Sequence, residues 1–209
     1  WDSEHGGFGD TTDAVTSRSV LISAPESRSV VEIEVNYTVC GTVHVPSWLI
    51  GGQGWRPSQV PVLVGILRHP TRGIILFDTG FGVARKAERT LWWLLYGQLL
   101  RVQMSPLKNV LETAGVLIEE VEGVFISHFD PDHTGGLLEL PDAPVYCSTA
   151  AWGEMRRFSA RNSMWRRNMG GALPSDLAAR IHLFEAGPLG TETDLFGDGS
   201  VKTVSLPGH

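Results

Sequence analysis

The chain has 209 residues, 42% of them hydrophobic, and a formal net charge of −6. That is the size and composition of one globular domain with a core of its own. An acidic balance argues against nucleic acid as the main partner, because phosphate binding needs a basic face.

Taken in chain order, residues 1–18 are polar and glycine-rich, and read as a flexible N-terminal arm. The chain starts at Trp1, which fits a cleaved leader or a disordered start; this leaves the compartment undefined, with the cytoplasm slightly favoured. Residues 30–45 alternate as a strand. Residues 46–55 are rich in glycine and break the period, which predicts a long loop. Residues 60–67 and 73–77 read as a hairpin closed by a turn that holds His69. Residues 84–104 have helical composition, as do 107–114 and 150–159. Apolar runs at 123–127, 144–147, 181–184 and 201–206 predict short strands between them. An all-β start that passes into alternating helix and strand predicts an α/β layered domain. The most apolar run, residues 91–100, is half the length of about 20 residues that a membrane span needs.

Cys40 and Cys147 are too few for a disulfide framework and read as buried thiols. His5 in the polar arm, His69 in a turn, and His44 and His182 in strands read as structural or solvated.

The chemistry concentrates in Phe125-Ile-Ser-His128-Phe-Asp130-Pro-Asp132-His133-Thr-Gly-Gly136, where an apolar strand ends and two imidazoles and two carboxylates follow. In an extended segment His128 and Asp130 point the same way. Asp132 and His133 follow as the chain turns, and can face a second point. Imidazole and carboxylate suit zinc, iron or manganese. Crowded together, these acids repel one another unless a cation neutralises them.

This segment resembles the His-x-His-x-Asp-His signature of the metallo-β-lactamase superfamily. Ile74-Ile-Leu-Phe-Asp78-Thr-Gly80 is similar to that family's strand ending in Asp-Thr-Gly, and Leu206-Pro-Gly-His209 to its Pro-Gly-His. Asp194-Leu-Phe-Gly-Asp-Gly-Ser200 resembles the stretch leading into that last motif. The resemblance implies an αββα sandwich whose C-terminal part is missing, so that residues 1–209 form one incomplete domain. It implies that His128, Asp130 and His209 hold a first metal, and Asp132 and His133 a second. Asp78 is then a supporting carboxylate under the site or a strand-end turn residue.

Two departures from the family pattern stand out. Asp130 replaces the usual histidine; a harder, charged ligand weakens the first site and moves its preference toward iron or manganese. The chain also stops before the bridging aspartate and final histidine of the family.

The resemblance implies two zinc ions and a metal-bound hydroxide that attacks a carbonyl, with Asp132 handling protons. The spacing and the Asp194–Ser200 segment look most like the lactonase branch, which includes N-acyl-homoserine lactonases. Trp48, Leu49, Ile50 and Trp55 form an apolar loop that suits a substrate arm, with Phe129 as a further pocket residue. Trp92, Trp93, Leu94, Leu95 and Tyr96 fit an acyl pocket wall, a homodimer contact or plain core. Arg156, Arg157, Arg161, Arg166 and Arg167 read as a solvated helix face or an anion clamp. The expected partner is a small molecule with an apolar arm. The alternatives are an iron-binding oxidoreductase, suggested by Asp130, and a non-catalytic binding protein on the same fold.

Overall fold

A computed structural model describes residues 31–82, 101–161 and 173–206, the side chains of residues 49, 50 and 158–161 excepted. The alternating N-terminal residues build three antiparallel strands, β1 (Glu34–Pro46), β2 (Pro57–His69) and β3 (Gly73–Phe77). The β1–β2 ladder runs from Glu34↔Arg68 to Pro46↔Pro57. The expected long loop is therefore a compact hairpin tip around one 3-10 turn, Ser47–Ile50. Ser47 closes it, its hydroxyl donating to Arg56 O at 2.6 Å and meeting Ser58 Oγ at 2.8 Å.

After β3 the pairing changes hand. The strands β5 (Val121–Ile126), β6 (Val145–Ser148) and β7 (Ile181–Phe184) add in parallel, and β4 (Gln103–Met104) caps the far edge. The sheet order is β4-β1-β2-β3-β5-β6-β7. Parallel neighbours need crossover connections. The described helices lie in these connections: α1 (Leu107–Thr113), the single turn α2 (Pro131–Thr134), α3 (Thr149–Arg161) and α4 (Leu177–Arg180). The α/β expectation holds.

Period-two alternation decides which face is covered. Val62, Val64 and Ile66 of β2, Leu76 of β3, Val124 and Ile126 of β5, and Val145 and Cys147 of β6 form one core with Leu107, Val110 and Leu111 of α1. Each fully buried side chain of this kind contributes about 1.5–3 kcal/mol. On the opposite face Tyr37, Val39, Leu63 and Phe77 remain 42–66% exposed.

Three expectations need correction. Residues 83–100 of the anticipated helix lie outside the described residues, but its end is not helical. Arg101 sits at φ 45°, and Gln103 and Met104 pair with Thr42 and Gly41. The open edge of β1 offers ladder hydrogen bonds that outweigh local helix propensity. Residues 201–206 were expected as one strand; only β9 (Lys202–Thr203) pairs, with β8 (Thr193–Asp194), as a separate two-stranded ribbon. His69 is not in a turn. It ends β2 and is buried, 5% exposed.

That histidine explains the Asp194–Ser200 segment. Asp194 accepts from the backbone N–H of Gly197 at 3.0 Å and of Gly199 at 2.8 Å, which folds the segment onto itself. Thr71 N–H donates to His69 Nδ1 at 3.2 Å, so the ring proton is on Nε2, which donates to Asp198 Oδ2 at 3.0 Å. Hydrogen bonds from Ser200 hold the Asp198 carboxyl below the usual carboxylate range. Phe196 packs on Phe125 at 5.9 Å between ring centroids, and the Arg72 guanidinium lies 4.4 Å over the Phe196 ring. The segment is a clamp that ties the C-terminal part of the chain to the β2–β3 hairpin.

Candidate metal centre

The centre lies where two parallel strands end side by side, the usual place for a ligand site in such a sheet. Asp78 follows β3, and its N–H donates to Phe125 O of β5 at 2.7 Å, one step beyond the ladder. The residue then turns into the left-handed region, φ 60°, which aspartate tolerates better than most side chains. After β5 the chain bends at Ser127, Asp130 is extended, and Pro131 at the first helical position starts α2. Asp130 O accepts from the N–H groups of His133 and Thr134, at 3.0 and 3.1 Å. Asp132 and His133 are thereby carried on one helical turn.

Two backbones are pressed together here. Thr79 N–H donates to His133 O at 2.8 Å, and Gly135 N–H to Gly80 O at 2.8 Å. A Cβ on Gly135 would lie 1.8 Å from Phe81 O, and one on Gly80, at φ 69°, would lie 2.2 Å from Cys40 Sγ. Only glycine fits at either position. The Asp-Thr-Gly and His-Thr-Gly-Gly motifs are thus two sides of one contact.

The four clustered site residues come together as two pairs. His128 Nε2 lies 3.6 Å from Asp130 Oδ2, and His133 Nε2 lies 3.4 Å from Asp132 Oδ2. The two imidazole rings are 3.9 Å apart between centroids and inclined at 50°. Asp78 is buried, and its Oδ2 accepts from His133 Nδ1–H at 2.7 Å. It is therefore a strand-end turn residue that also hydrogen-bonds an imidazole of the cluster.

Charge follows this geometry. Burial pushes the His133 pKa down, but hydrogen bonds and charge from Asp132 and Asp78 outweigh it and raise it to about 10. Burial works against Asp132 in the same way, yet its hydrogen bond with His133 holds the carboxyl below its ordinary value. A proton shared among two acids and an imidazole thus supplies positive charge to the cluster.

Chemically, these are nitrogen and oxygen donors of the kind that hold divalent cations, with Nδ1 of His133 tied back by a carboxylate as in many metal-ligating histidines. The donor chemistry fits a metal. Among the described residues, no three His, Cys, Asp or Glu side chains converge as one metal-holding group. His209, the expected third ligand of the first site, lies outside the described residues.

Compared with known proteins, residues 57–209 match the family model for the metallo-beta-lactamase superfamily. The chain belongs to that superfamily. A probable metallo-hydrolase of Mycobacterium tuberculosis is 27% identical over 206 residues, covering 91% of this chain and 59% of the relative. The chain therefore spans about three-fifths of that relative's length. A probable metal-dependent hydrolase from Staphylococcus aureus has a similar structure, with a TM-score of 0.57 at 15% identity over 80% of this chain and 62% of that one. An N-acyl homoserine lactone hydrolase, solved with N-hexanoyl-L-homoserine at its catalytic metal centre, gives 0.52 at 15% identity over 80% and 63%. At such identities the likeness is one of fold.

Within this superfamily fold, the expected pocket residues fall in different places. Trp48 and Trp55 stack edge to face at the hairpin tip, 5.6 Å apart, and are exposed. The side chain of Leu49 lies outside the described residues. Phe129, also expected at the pocket, is buried in the core, 5.6 Å from Trp152 between ring centroids. Arg156 and Arg157 are exposed on α3, Arg157 reaching back to Gly153 O at 3.3 Å. Residues 92–96, Arg166 and Arg167 lie outside the described residues. So does the Arg161 side chain. Both cysteines are free and buried. No helix among the described residues is long and apolar enough to cross a membrane.

Sequence reasoning passed over Ser127 and Thr79. Ser127 hydrogen-bonds Asp78, and the Thr79 hydroxyl donates to His133 O at 2.9 Å. The one signal for Ser127 was its place, a hydroxyl residue directly before His128.

Proposed function

We propose that this protein is a metal-dependent hydrolase of a lactone or a related ester-type carbonyl. The observation that carries the reading is at the ends of β3 and β5, where the pairs His128–Asp130 and His133–Asp132 set their rings 3.9 Å apart and buried Asp78 holds the Nδ1 proton of His133. In this reading His128, Asp130 and His209 hold one cation, and Asp132 and His133 the other, with zinc the leading candidate for both. Bound there, divalent cations supply Lewis acidity toward a carbonyl oxygen and lower the pKa of water.

The remaining work belongs to side chains. Asp78 keeps His133 oriented, with the Nδ1 proton in place and Nε2 toward Asp132. Asp132, on the same turn as His133, accepts a proton from the attacking water and returns it to the leaving oxygen. Trp48 and Trp55 offer exposed aromatic surface to an apolar substrate arm. The superfamily and the shared fold of the solved lactone hydrolase support this substrate class by analogy.

The test is elemental analysis of the purified full-length protein, then a panel of lactones, thioesters and β-lactams. The expected result is lactone hydrolysis that a chelator abolishes. Activity that survives Asp132→Ala and His133→Ala overturns the mechanism.

Asp130 favours one second reading. A carboxylate where the family carries histidine suits iron, and with it an oxidoreductase. A redox-active iron centre, seen by optical or spin-resonance spectroscopy in the purified protein, would favour that reading over hydrolysis.

A further inference from the structure

Ser127 sits at the junction of the cluster. Its N–H donates to Asp78 Oδ1 at 2.8 Å, and its hydroxyl lies 2.8 Å from Asp78 Oδ2, 3.0 Å from His128 Nδ1 and 3.4 Å from His133 Nδ1. A hydroxyl has one proton to give and lone pairs to receive. That proton goes to Asp78, since at 2.8 Å a carboxylate and a hydroxyl oxygen need a hydrogen between them. His128 Nδ1 must then bring its own proton to the 3.0 Å contact with Ser127 Oγ, because an Nδ1 lone pair would find no donor there.

We infer that Ser127 is a positioning residue that extends the reach of Asp78 to the second histidine. The chain runs from His128 Nδ1–H to Ser127 Oγ, from Ser127 Oγ–H to Asp78, and from His133 Nδ1–H to the same carboxylate. One buried acid thereby holds the Nδ1 proton of both imidazoles and leaves their Nε2 atoms turned toward the candidate site. The two Nε2 atoms are those that lie beside Asp130 and Asp132. Asp78 reaches His133 directly, and the Ser127 hydroxyl links the same carboxylate to His128. The inference rests on the metal-binding reading above for its purpose, but the hydrogen-bond chain stands on its own geometry.

The test separates the two. Long-range nitrogen–proton NMR of histidine-labelled, metal-free full-length protein in mildly alkaline buffer reads the His128 tautomer without any metal. The expected wild-type result is the Nδ1–H form, and the Nε2–H form in wild type overturns the inference before any variant is made. Ser127→Ala is expected to shift His128 toward the Nε2–H form, and Ser127→Thr to restore Nδ1–H. An unchanged tautomer in Ser127→Ala also overturns it. With zinc alone as probe in a chelator competition, Ser127→Ala is expected to lose affinity by about 10- to 100-fold and Ser127→Thr to recover it. A wild-type protein that shows the Nδ1–H form yet takes up no zinc supports the relay and overturns the metal reading.

Discussion

Asp78 and His133 stand 55 positions apart in the chain and meet at 2.7 Å, Oδ2 to Nδ1. The contact joins the end of β3 to the turn after β5. Asp78→Asn keeps the shape and the tolerance of positive φ but puts a neutral amide where the carboxylate was. Zinc affinity is expected to fall by about 10- to 100-fold, as when other supporting partners of metal-ligating histidines are removed. A chelator competition checks it; unchanged affinity in Asp78→Asn would mean that His133 is oriented without its help.

Gly80 lies at φ 69° against Cys40 Sγ. Gly80→Ala adds left-handed strain of roughly 1–2 kcal/mol and overpacking of roughly 1–3 kcal/mol. Denaturant unfolding is expected to show a loss of about 2–5 kcal/mol. Adding Cys40→Ala removes the clash but not the strain, so the double variant is expected to show less than the sum of the two single losses.

Burial pushes the Cys40 thiol up from 9.0 to about 11 and the Cys147 thiol to about 12. Each folded value exceeds the unfolded one, so the folded chain keeps protons that the unfolded chain releases. Stability from these groups is complete below about pH 9 and is lost as the pH rises through 11 to 12. Unfolding curves across that window are expected to slope downward, less so in Cys147→Ala. Neither native thiol is expected to react with a thiol reagent at pH 8, where both are protonated; rapid labelling without denaturant would contradict this.

Asp130 reaches His128 Nε2 at 3.6 Å from a side chain that is 47% exposed. In the proposed reading, exposure and charge make it a weaker first-site ligand than imidazole. Asp130→His is expected to raise zinc occupancy and affinity and to lower preference for iron. Equal stoichiometry and affinity in both proteins would refute the weaker first site.

Much of the fold was legible where a pattern repeats. The alternation along β1 to β3 and the apolar runs of β5 to β7 mark strands, and the helices at 107–113 and 149–161 follow from local composition. The pairing of His128 with Asp130 and of Asp132 with His133 was legible for the same local reason. Two residues apart in an extended segment and adjacent on a turn are short-range relations that the backbone itself enforces. Where a distant partner decides, local reading failed. Gln103 and Met104 follow a helical run, yet they answer to the open edge of β1. Phe129 sits among ligand candidates, yet the core takes it.

The sequence by itself determined the candidate donors: which imidazoles and carboxylates lie within six positions, the Asp-Thr-Gly before them and the glycines after. Tertiary structure decided their states. It brought Asp78 to His133 and Ser127, and so chose which ring nitrogen carries each proton; it carried Asp198 to His69, and so made the Asp194–Ser200 segment a clamp. The physical reason is range. Side-chain identity and short spacing are written along the chain, whereas the contact of β3 with β5 exists only after the parallel strands pair.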